Sequence, residues 1–254
     1  MVKLTWYITI YEQTSDDMKV RLPILKTWRK VKMKKLFLAS WFAGAATLLP
    51  NFVKSDLTGK KVVFIPTAGL HKMSDEERNG LDFVNNADKE ALKNLGFVVE
   101  DLEIVNETSE TIEKNISNAD CIFVCGGNTF FLMQELKRKG ADKMISRHIE
   151  QGKLYIGTSA GSALMQKDFI VDGVDDPALA PDLSGDFSGL GYIDFYLYVH
   201  YGGHYWGDDD ESIAKYYAHL NYKKIGDNQA VTVEGEKIEI VTAPESCVPT
   251  IDVM

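Results

Sequence analysis

The chain has 254 residues and a formal net charge of −9 at pH 7. Its residues are 45% hydrophobic and 26% charged, a composition typical of a globular protein with a sizeable core. A chain with an acidic net charge is poorly suited to bind nucleic acid or an anionic membrane surface, so we expect neither partner. Three cysteines, an odd number, argue against a disulfide framework, and we expect a cytoplasmic protein.

The first 32 residues differ from the rest, because their basic end has no counterpart in the pattern that follows. We therefore expect residues 1–32 to be an extension outside the main fold. Residues 33–241 should form one α/β domain, and residues 242–254, with two prolines and no periodicity, an irregular tail.

The segment between Lys32 and Ala46 has two interpretations. Its basic flank, apolar run and small residues are typical of a secretory signal, although the run is short for a membrane span. The alternative is a buried strand, Lys35–Ala39, followed by a small-residue loop and a helix. We favour the strand because the alternating pattern that follows needs one at this position.

From Lys35 onward, apolar strand-like runs alternate with helical patterns. The predicted strands are Lys35–Ala39, Lys60–Pro66, Phe97–Leu102, Cys121–Cys125 and Leu154–Gly157, and the predicted helices are Glu76–Leu95, Ser109–Ala119, Phe130–Lys139 and Lys143–Gln151. Such alternation predicts a mostly parallel sheet with helices on both faces, a three-layer α/β fold. Cys121 and Cys125 share a face of their strand, where we expect buried packing rather than a metal site.

Beyond residue 190 the pattern predicts three further elements. They are a strand at Phe195–Val199, a helix around Glu211–Leu220, and a C-terminal β-hairpin of Ala230–Val233 and Lys237–Val241.

The motif Gly157-Thr158-Ser159-Ala160-Gly161 has the form G-x-S-x-G between a predicted strand and a helix start. A serine at such a turn is held on strained backbone with its hydroxyl exposed, and the next amide can stabilise an oxyanion. The glycines are needed where a side chain would clash with the neighbouring strand and helix. A Gly/Ser-rich turn without chemistry is the alternative.

A second loop, Gly126-Gly127-Asn128-Thr129, follows a predicted strand and begins a helix. Ligand sites of parallel sheets lie at the carboxyl ends of strands, so this loop and Ser159 can be neighbours. The amides of Gly127 and Ala160 are candidate oxyanion donors, while Gly126, Asn128 and Thr129 are candidates for binding substrate. The alternative interpretation of this loop, a plain turn in which Asn128 caps the helix, stays open. The loop lacks the spacing and the lysine of a phosphate loop.

A nucleophilic serine needs a base and an acid that orients it. His200 and His204 follow the predicted strand Phe195–Val199, and His200 is the better candidate because it is closer to the strand end. The candidate acids are Asp227, Asp175 and Asp176. The residues by themselves do not place any of these carboxylates relative to His200.

At these motifs, together with Phe37-Leu38-Ala39-Ser40 and Ile225-Gly226-Asp227, the chain resembles the peptidase E family of Ser-dependent aspartyl dipeptidases and its relative cyanophycinase. The resemblance spans about Lys34 to Val241. It implies a fold like the class I glutamine amidotransferases (flavodoxin-like), with Ser159 as nucleophile and His200 as base. It also implies a third carboxylate at Asp227, or alternatively at Asp175 or Asp176.

The chain departs from the aspartyl dipeptidases after the histidine. Where those enzymes have an arginine that holds the substrate Asp side chain, this chain has Gly207-Asp208-Asp209-Asp210-Glu211. Acids here would repel an acidic side chain, although a charged helix start is the simpler interpretation. Strict Asp-X specificity is therefore not expected.

Together, the motifs and the family resemblance imply a serine peptidase that acts on short peptides without a metal or cofactor. An α/β-hydrolase-type esterase is an alternative, although His200 follows Ser159 too closely for that fold. The second alternative is a non-catalytic relative that binds a small ligand. The oligomeric state stays open, with a homodimer as one option.

Overall fold

The computed structural model describes residues 34–71, 74–169, 175–203 and 218–250. The expected extension 1–32, His204, the acidic cluster Asp208–Glu211 and most of the helix predicted around Glu211–Leu220 lie outside these ranges.

A mixed sheet of seven strands, in the order β3-β2-β4-β5-β1-β8-β9, is the centre of the fold. The strands are β1 (Lys35–Ala39), β2 (Lys61–Ile65), β3 (Val98–Asp101), β4 (Cys121–Val124), β5 (Leu154–Thr158), β8 (Gln229–Glu234) and β9 (Lys237–Thr242). The five strands from β3 to β1 are parallel, and β8 and β9 are antiparallel to their neighbours. The predicted strand Lys35–Ala39 is confirmed as β1, near the middle of this sheet.

Seven α-helices lie within the described ranges, and the longer ones match the predicted helices to within a few residues. They are α1 (Phe42–Ala45), α2 (Leu49–Val53), α3 (Asp75–Asn94), α4 (Ser109–Asn118), α5 (Thr129–Lys139), α6 (Ala141–Glu150) and α7 (Ala160–Ala163). None of the helices in these ranges has the length and apolar character that crossing a membrane requires.

The helices cover both faces of the sheet, which makes the architecture a three-layer α/β sandwich. On one face, alternate strand residues such as Leu36, Val63 and Ile122 pack with apolar residues of α4, α5 and α6. On the other face, Phe37, Phe64, Phe123 and their neighbours pack with α1, α2 and α3. Cys121 and Cys125 are buried on this second face, as expected. Strands that are buried on both faces have continuous runs of apolar residues in their sequence.

A second, two-stranded sheet lies outside the main one. It pairs β6 (Tyr196–Tyr198) with β7 (Tyr222–Lys224) in parallel. The strand predicted at Phe195–Val199 is thus present as β6, but it is not part of the seven-stranded sheet.

Helix α4 begins at Ser109, as predicted, and the hydroxyl of Thr108 caps it by accepting the amide hydrogen of Thr111. The start of α6 differs from the prediction by two residues. Helix α6 begins at Ala141, directly after Gly140, which has φ of +71° and both ends α5 and starts α6. A glycine in this left-handed conformation permits a sharp corner without an intervening loop.

Candidate functional site

Ser159 lies at a sharp turn between β5 and α7. Its backbone has φ of 50° and ψ of −116°, a region that non-glycine residues rarely adopt. The Ser159 amide donates to the carbonyls of Ala39 and Ser40, at 3.1 and 3.0 Å, at the carboxyl end of β1. The hydroxyl of Ser162 also donates to the Ala39 carbonyl, at 2.7 Å. The two bonds from the Ser159 amide therefore anchor the strained residue to the end of β1.

The two glycines of the G-x-S-x-G motif have no room for a side chain. A Cβ on Gly157 would lie 2.5 Å from the carbonyl oxygen of Gly161, and a Cβ on Gly161 would lie 2.1 Å from that of Val124. Both contacts are with backbone, which cannot rotate away. The predicted reason for the glycines, close approach of helix and strand, is confirmed at both positions.

His200 follows β6 and brings its imidazole to Ser159. Its Nε2 lies 3.0 Å from the hydroxyl oxygen of Ser159. Its backbone also has a positive φ, 59°, and its carbonyl accepts the amide hydrogen of Gly203 at 3.0 Å. The side chain of His200 is 15% exposed, so the ring is open to solvent on a small part of its surface.

Asp227 precedes β8 and completes a continuous chain of hydrogen bonds. Because β8 is antiparallel to β1, the start of β8 lies beside the carboxyl end of β1. The residues just before β8 are therefore at the same end of the sheet as the carboxyl ends of the parallel strands. There the Oδ1 of Asp227 lies 2.7 Å from Nδ1 of His200. The Asp227 side chain is 8% exposed. A carboxylate at Nδ1 keeps the proton on that nitrogen and leaves Nε2 free to accept the serine proton.

The loop Gly126–Thr129 lies beside Ser159, as its position after β4 predicted. A Cβ on Gly126 would come within 3.0 Å of the Ser159 Cβ. Gly127 has φ of +131°, and a Cβ there would lie 2.3 Å from the Ala68 carbonyl oxygen, so this position accepts only glycine. The Asn128 side chain caps α5 by accepting the Phe131 amide hydrogen at 2.8 Å.

Two backbone amides next to the serine are suited to bind an anionic oxygen. The amide of Ala160 directly follows the serine, and the amide of Gly127 belongs to the loop whose Gly126 lies against the Ser159 side chain. Ala160 is the first residue of α7, where backbone amides have no partner within the helix. Such amides can stabilise the negative charge that develops on a carbonyl oxygen under attack.

The two alternative acids lie at the start of α5. A carboxylate oxygen of Asp175 accepts the amide hydrogen of Thr129, and the Asp176 carbonyl accepts from the Asn128 side chain at 3.2 Å. Both ring nitrogens of His200 are already engaged, by Ser159 and Asp227. The structure therefore brings Asp227, rather than Asp175 or Asp176, to the histidine.

The other histidines in the described ranges have different surroundings. His71 is half-buried and contacts the Ala68 carbonyl through Nδ1 at 2.9 Å. His148 is buried and contacts the Leu154 carbonyl through Nε2, and burial lowers its pKa to about 4. His219 is exposed in a turn.

A buried tyrosine supports the serine turn from inside the sheet. The hydroxyl of Tyr155 donates to the Gly161 carbonyl at 2.6 Å, and burial raises the pKa of this phenol well above its usual value. Tyr155 therefore stays neutral and keeps donating to the turn.

Sequence reasoning missed the central position of Ser40. This fully buried residue donates from its hydroxyl to Asp227 Oδ1 at 2.9 Å and accepts the His200 amide hydrogen at 2.7 Å. The available signal was its place at the carboxyl end of the first buried strand, where a polar side chain faces the site edge.

Comparison with known proteins supports the resemblance seen in the motifs. The profile of peptidase family S51 matches residues 36–241. An uncharacterized peptidase of Listeria innocua is 38% identical over 208 residues, which cover 81% of this chain and 95% of the relative. An uncharacterized peptidase of Pasteurella multocida is 34% identical over 206 residues, or 80% of this chain and 95% of the relative.

Proteins named peptidase E are also among the relatives. Peptidase E of Shewanella amazonensis is 34% identical over 139 residues, which cover 55% of this chain and 53% of that protein. A crystal structure of a Listeria monocytogenes protein, provisionally named peptidase E, has a TM-score of 0.75 and 35% identity, and the match covers 84% of this chain and all of that one. The predicted resemblance to the peptidase E family is confirmed, and the chain belongs to peptidase family S51.

Proposed function

We propose that this protein is a serine peptidase that hydrolyses short peptides with Ser159 as nucleophile, His200 as general base and Asp227 as the acid that orients it. The observation that carries the proposal is the unbroken chain of hydrogen bonds from the Ser159 hydroxyl through both ring nitrogens of His200 to Asp227. Nucleophile, base and orienting group within hydrogen-bond distance are the signature of an activated serine.

In this mechanism the Ser159 oxygen attacks the carbonyl carbon of the scissile peptide bond while its proton passes to Nε2 of His200. The amides of Gly127 and Ala160 hold the oxyanion of the tetrahedral intermediate. His200 then gives the proton to the departing amine, and the C–N bond breaks to leave an acyl-enzyme on Ser159. Water, deprotonated by His200, hydrolyses this ester and releases the acid product.

The loop after β4 would form one wall of the substrate site. Gly126 lies against Ser159, and Asn128 and Thr129 fix the start of α5 beside it. We assign these three residues to positioning the peptide next to the oxyanion donors.

For the substrate, we propose dipeptides or other short peptides without a strict requirement for an N-terminal aspartate. The reason is the stretch Gly207–Glu211, which carries four acids and no arginine in the sequence. Like charges disfavour an acidic side chain at short range.

Two organisational proposals accompany this function. The three-layer sheet with its terminal antiparallel pair supports a fold like the class I glutamine amidotransferases. Residues 1–32 precede the part that matches the family and are proposed to be an extension outside it, with residues 33–241 as the catalytic domain and residues 242–254 as its tail.

The function is tested with a library of dipeptides that varies the N-terminal residue, with wild type and Ser159→Ala compared in parallel. We expect the wild type to cleave a subset of the library and the variant to lose at least about 10³-fold in kcat. Retention of full activity by Ser159→Ala would rule out the mechanism. Turnover of simple esters without any peptide cleavage would indicate an esterase. Absence of both activities, with no labelling of Ser159 by a serine-directed phosphonate, would indicate a ligand-binding relative.

A further inference from the structure

Ser40 contacts every member of the proposed triad. Its carbonyl accepts the Ser159 amide hydrogen at 3.0 Å and the Thr158 hydroxyl at 3.2 Å. Its side-chain oxygen accepts the His200 amide hydrogen at 2.7 Å, and its hydroxyl donates to Asp227 Oδ1 at 2.9 Å. Ser40 is completely buried, so water does not compete for these bonds.

The bond to the His200 amide acts on strained backbone. His200 has φ of 59°, and a non-glycine residue in this region costs about 1–3 kcal/mol unless its surroundings hold it there. The Ser40 hydroxyl oxygen is the side-chain acceptor of the His200 amide in the described part of the chain. Without it, the His200 amide would lose this hydrogen bond and the strained conformation would lose a restraint.

The bond to Asp227 fixes the acceptor of the imidazole. Oδ1 of Asp227 accepts from both Nδ1 of His200, at 2.7 Å, and the hydroxyl of Ser40, at 2.9 Å. The Ser40 oxygen also lies 3.4 Å from Nδ1 of His200. Two donors that converge on one carboxylate oxygen restrict rotation of the carboxylate, and this in turn sets the direction of the imidazole.

We propose that Ser40 is a positioning residue that aligns His200 and Asp227 with Ser159, an inference that rests on the proposed function. It acts through its two side-chain hydrogen bonds, not through contact with substrate. The consequence is that removal of the hydroxyl lowers the rate of the chemical step while substrate binding is preserved.

The test compares Ser40→Ala with Ser162→Ala. Ser162 is an equally buried serine whose hydroxyl donates to the Ala39 carbonyl at the same strand end. In the described part of the chain it contacts neither His200 nor Asp227, which makes it a matched control for loss of a buried hydroxyl. We expect Ser40→Ala to lower kcat by about 10²-fold with KM changed by less than twofold, because small misplacements of reacting groups have effects of this size. Ser162→Ala should lose much less.

A third variant, Ser40→Cys, separates hydrogen bonding from packing. The thiol fills the space of the hydroxyl but is a weak donor and acceptor. A positioning role predicts that this variant stays close to Ser40→Ala in kcat, whereas a space-filling role predicts recovery toward wild type. Recovery, or equal losses in Ser40→Ala and Ser162→Ala, would overturn the proposal.

An NMR measurement tests the inference independently of catalysis. The His200 Nδ1–H proton, identified by its loss in His200→Gln, should give a downfield resonance in wild type that shifts or broadens in Ser40→Ala and is unchanged in Ser162→Ala. An unchanged resonance in Ser40→Ala would overturn the proposal. If wild type cleaves no peptide but the resonance responds to Ser40 as expected, the proposed function fails and the positioning role stands.

Discussion

Ser159 and His200, the two residues proposed to exchange a proton, both have positive φ. The first could be anticipated from sequence, because glycines two residues away on either side indicate a tight turn between strand and helix. The second could not, since the residues around His200 are also compatible with an ordinary loop. Its amide donates a hydrogen bond to the Ser40 side chain, which is 160 residues away in the chain.

Two glycines, Gly161 in the serine turn and Gly80 in α3, give predictions of opposite sign for the free energy of unfolding when each is replaced by alanine. Gly161→Ala places Cβ 2.1 Å from the Val124 carbonyl oxygen and should lower the free energy of unfolding by at least about 2 kcal/mol. Gly80→Ala, in the middle of α3 with no atom within 4 Å of the new Cβ, should raise it by up to about 1 kcal/mol. Urea unfolding of both variants measures the difference, and equal effects would contradict the close contact.

The choice between the candidate acids is tested by Asp227→Asn and Asp175→Asn. Asp227→Asn should lower kcat by about 10³- to 10⁴-fold because the imidazole loses its orienting carboxylate. Asp175→Asn weakens the cap of α5 and should lower the free energy of unfolding by about 1 kcal/mol or less, with kcat reduced less than tenfold. Steady-state kinetics on one cleaved dipeptide measure kcat for both variants. A larger loss of kcat in Asp175→Asn than in Asp227→Asn would make Asp175, not Asp227, the acid that orients His200.

At the scale of the elements, the parallel strands were predictable because burial on both faces leaves uninterrupted apolar runs such as Cys121–Val124. Strand β7 was not predicted. Its sequence, Tyr222-Lys223-Lys224, is short and basic, and pairing with β6 makes it a strand.

Buried His148 on α6 makes the stability of the protein depend on pH. Burial lowers its pKa to about 4, below the value of about 6.5 expected in the unfolded chain. Between these values the unfolded state binds more protons, so stability falls as pH falls from about 6.5 toward 4. Between pH 7 and pH 5 this group should remove about 2 kcal/mol from the free energy of unfolding.

The matched variant is His148→Gln, which can still donate to the Leu154 carbonyl but does not titrate. Its free energy of unfolding, from urea titrations at pH 7 and pH 5, should fall by about 2 kcal/mol less than that of wild type over the same interval. Identical pH dependence in both proteins would show that another group is responsible.

For the whole molecule, the α/β fold could be predicted from one sequence, and Ser159, His200 and Asp227 could be named as candidates, but the assembly of the site could not be predicted. Ser159 and Asp227 adjoin the seven-stranded sheet, while His200 follows the separate sheet of β6 and β7. How that second sheet meets the first depends on tertiary contacts that no local pattern encodes. The role of Ser40 also depends on tertiary contacts. In the sequence alone, a serine after a strand is most simply interpreted as part of a turn.

A truncation tests the proposed domain organisation. A chain that starts at Met33 should fold with a Tm within about 2 °C of the full chain, a difference below about 1 kcal/mol. It should also keep its activity on any cleaved dipeptide, because the match to the family begins at residue 36. Calorimetry and kinetics on both chains check this, and failure of the shorter chain to fold would place residues 1–32 within the main fold.

The turn between β8 and β9 lies at the opposite end of the central strands from Ser159. There the Gly235 amide donates to the Lys34 carbonyl at 3.0 Å, next to the start of β1, whereas Ser159 contacts the end of the same strand, about 13 Å away. Glu236 in this turn is exposed. Cys121 and Cys125 are unreactive because they are buried, so replacing Cys247 leaves a cysteine introduced at position 236 as the reactive thiol. Coupling through this thiol would attach the protein to a solid support with its candidate site facing the solution.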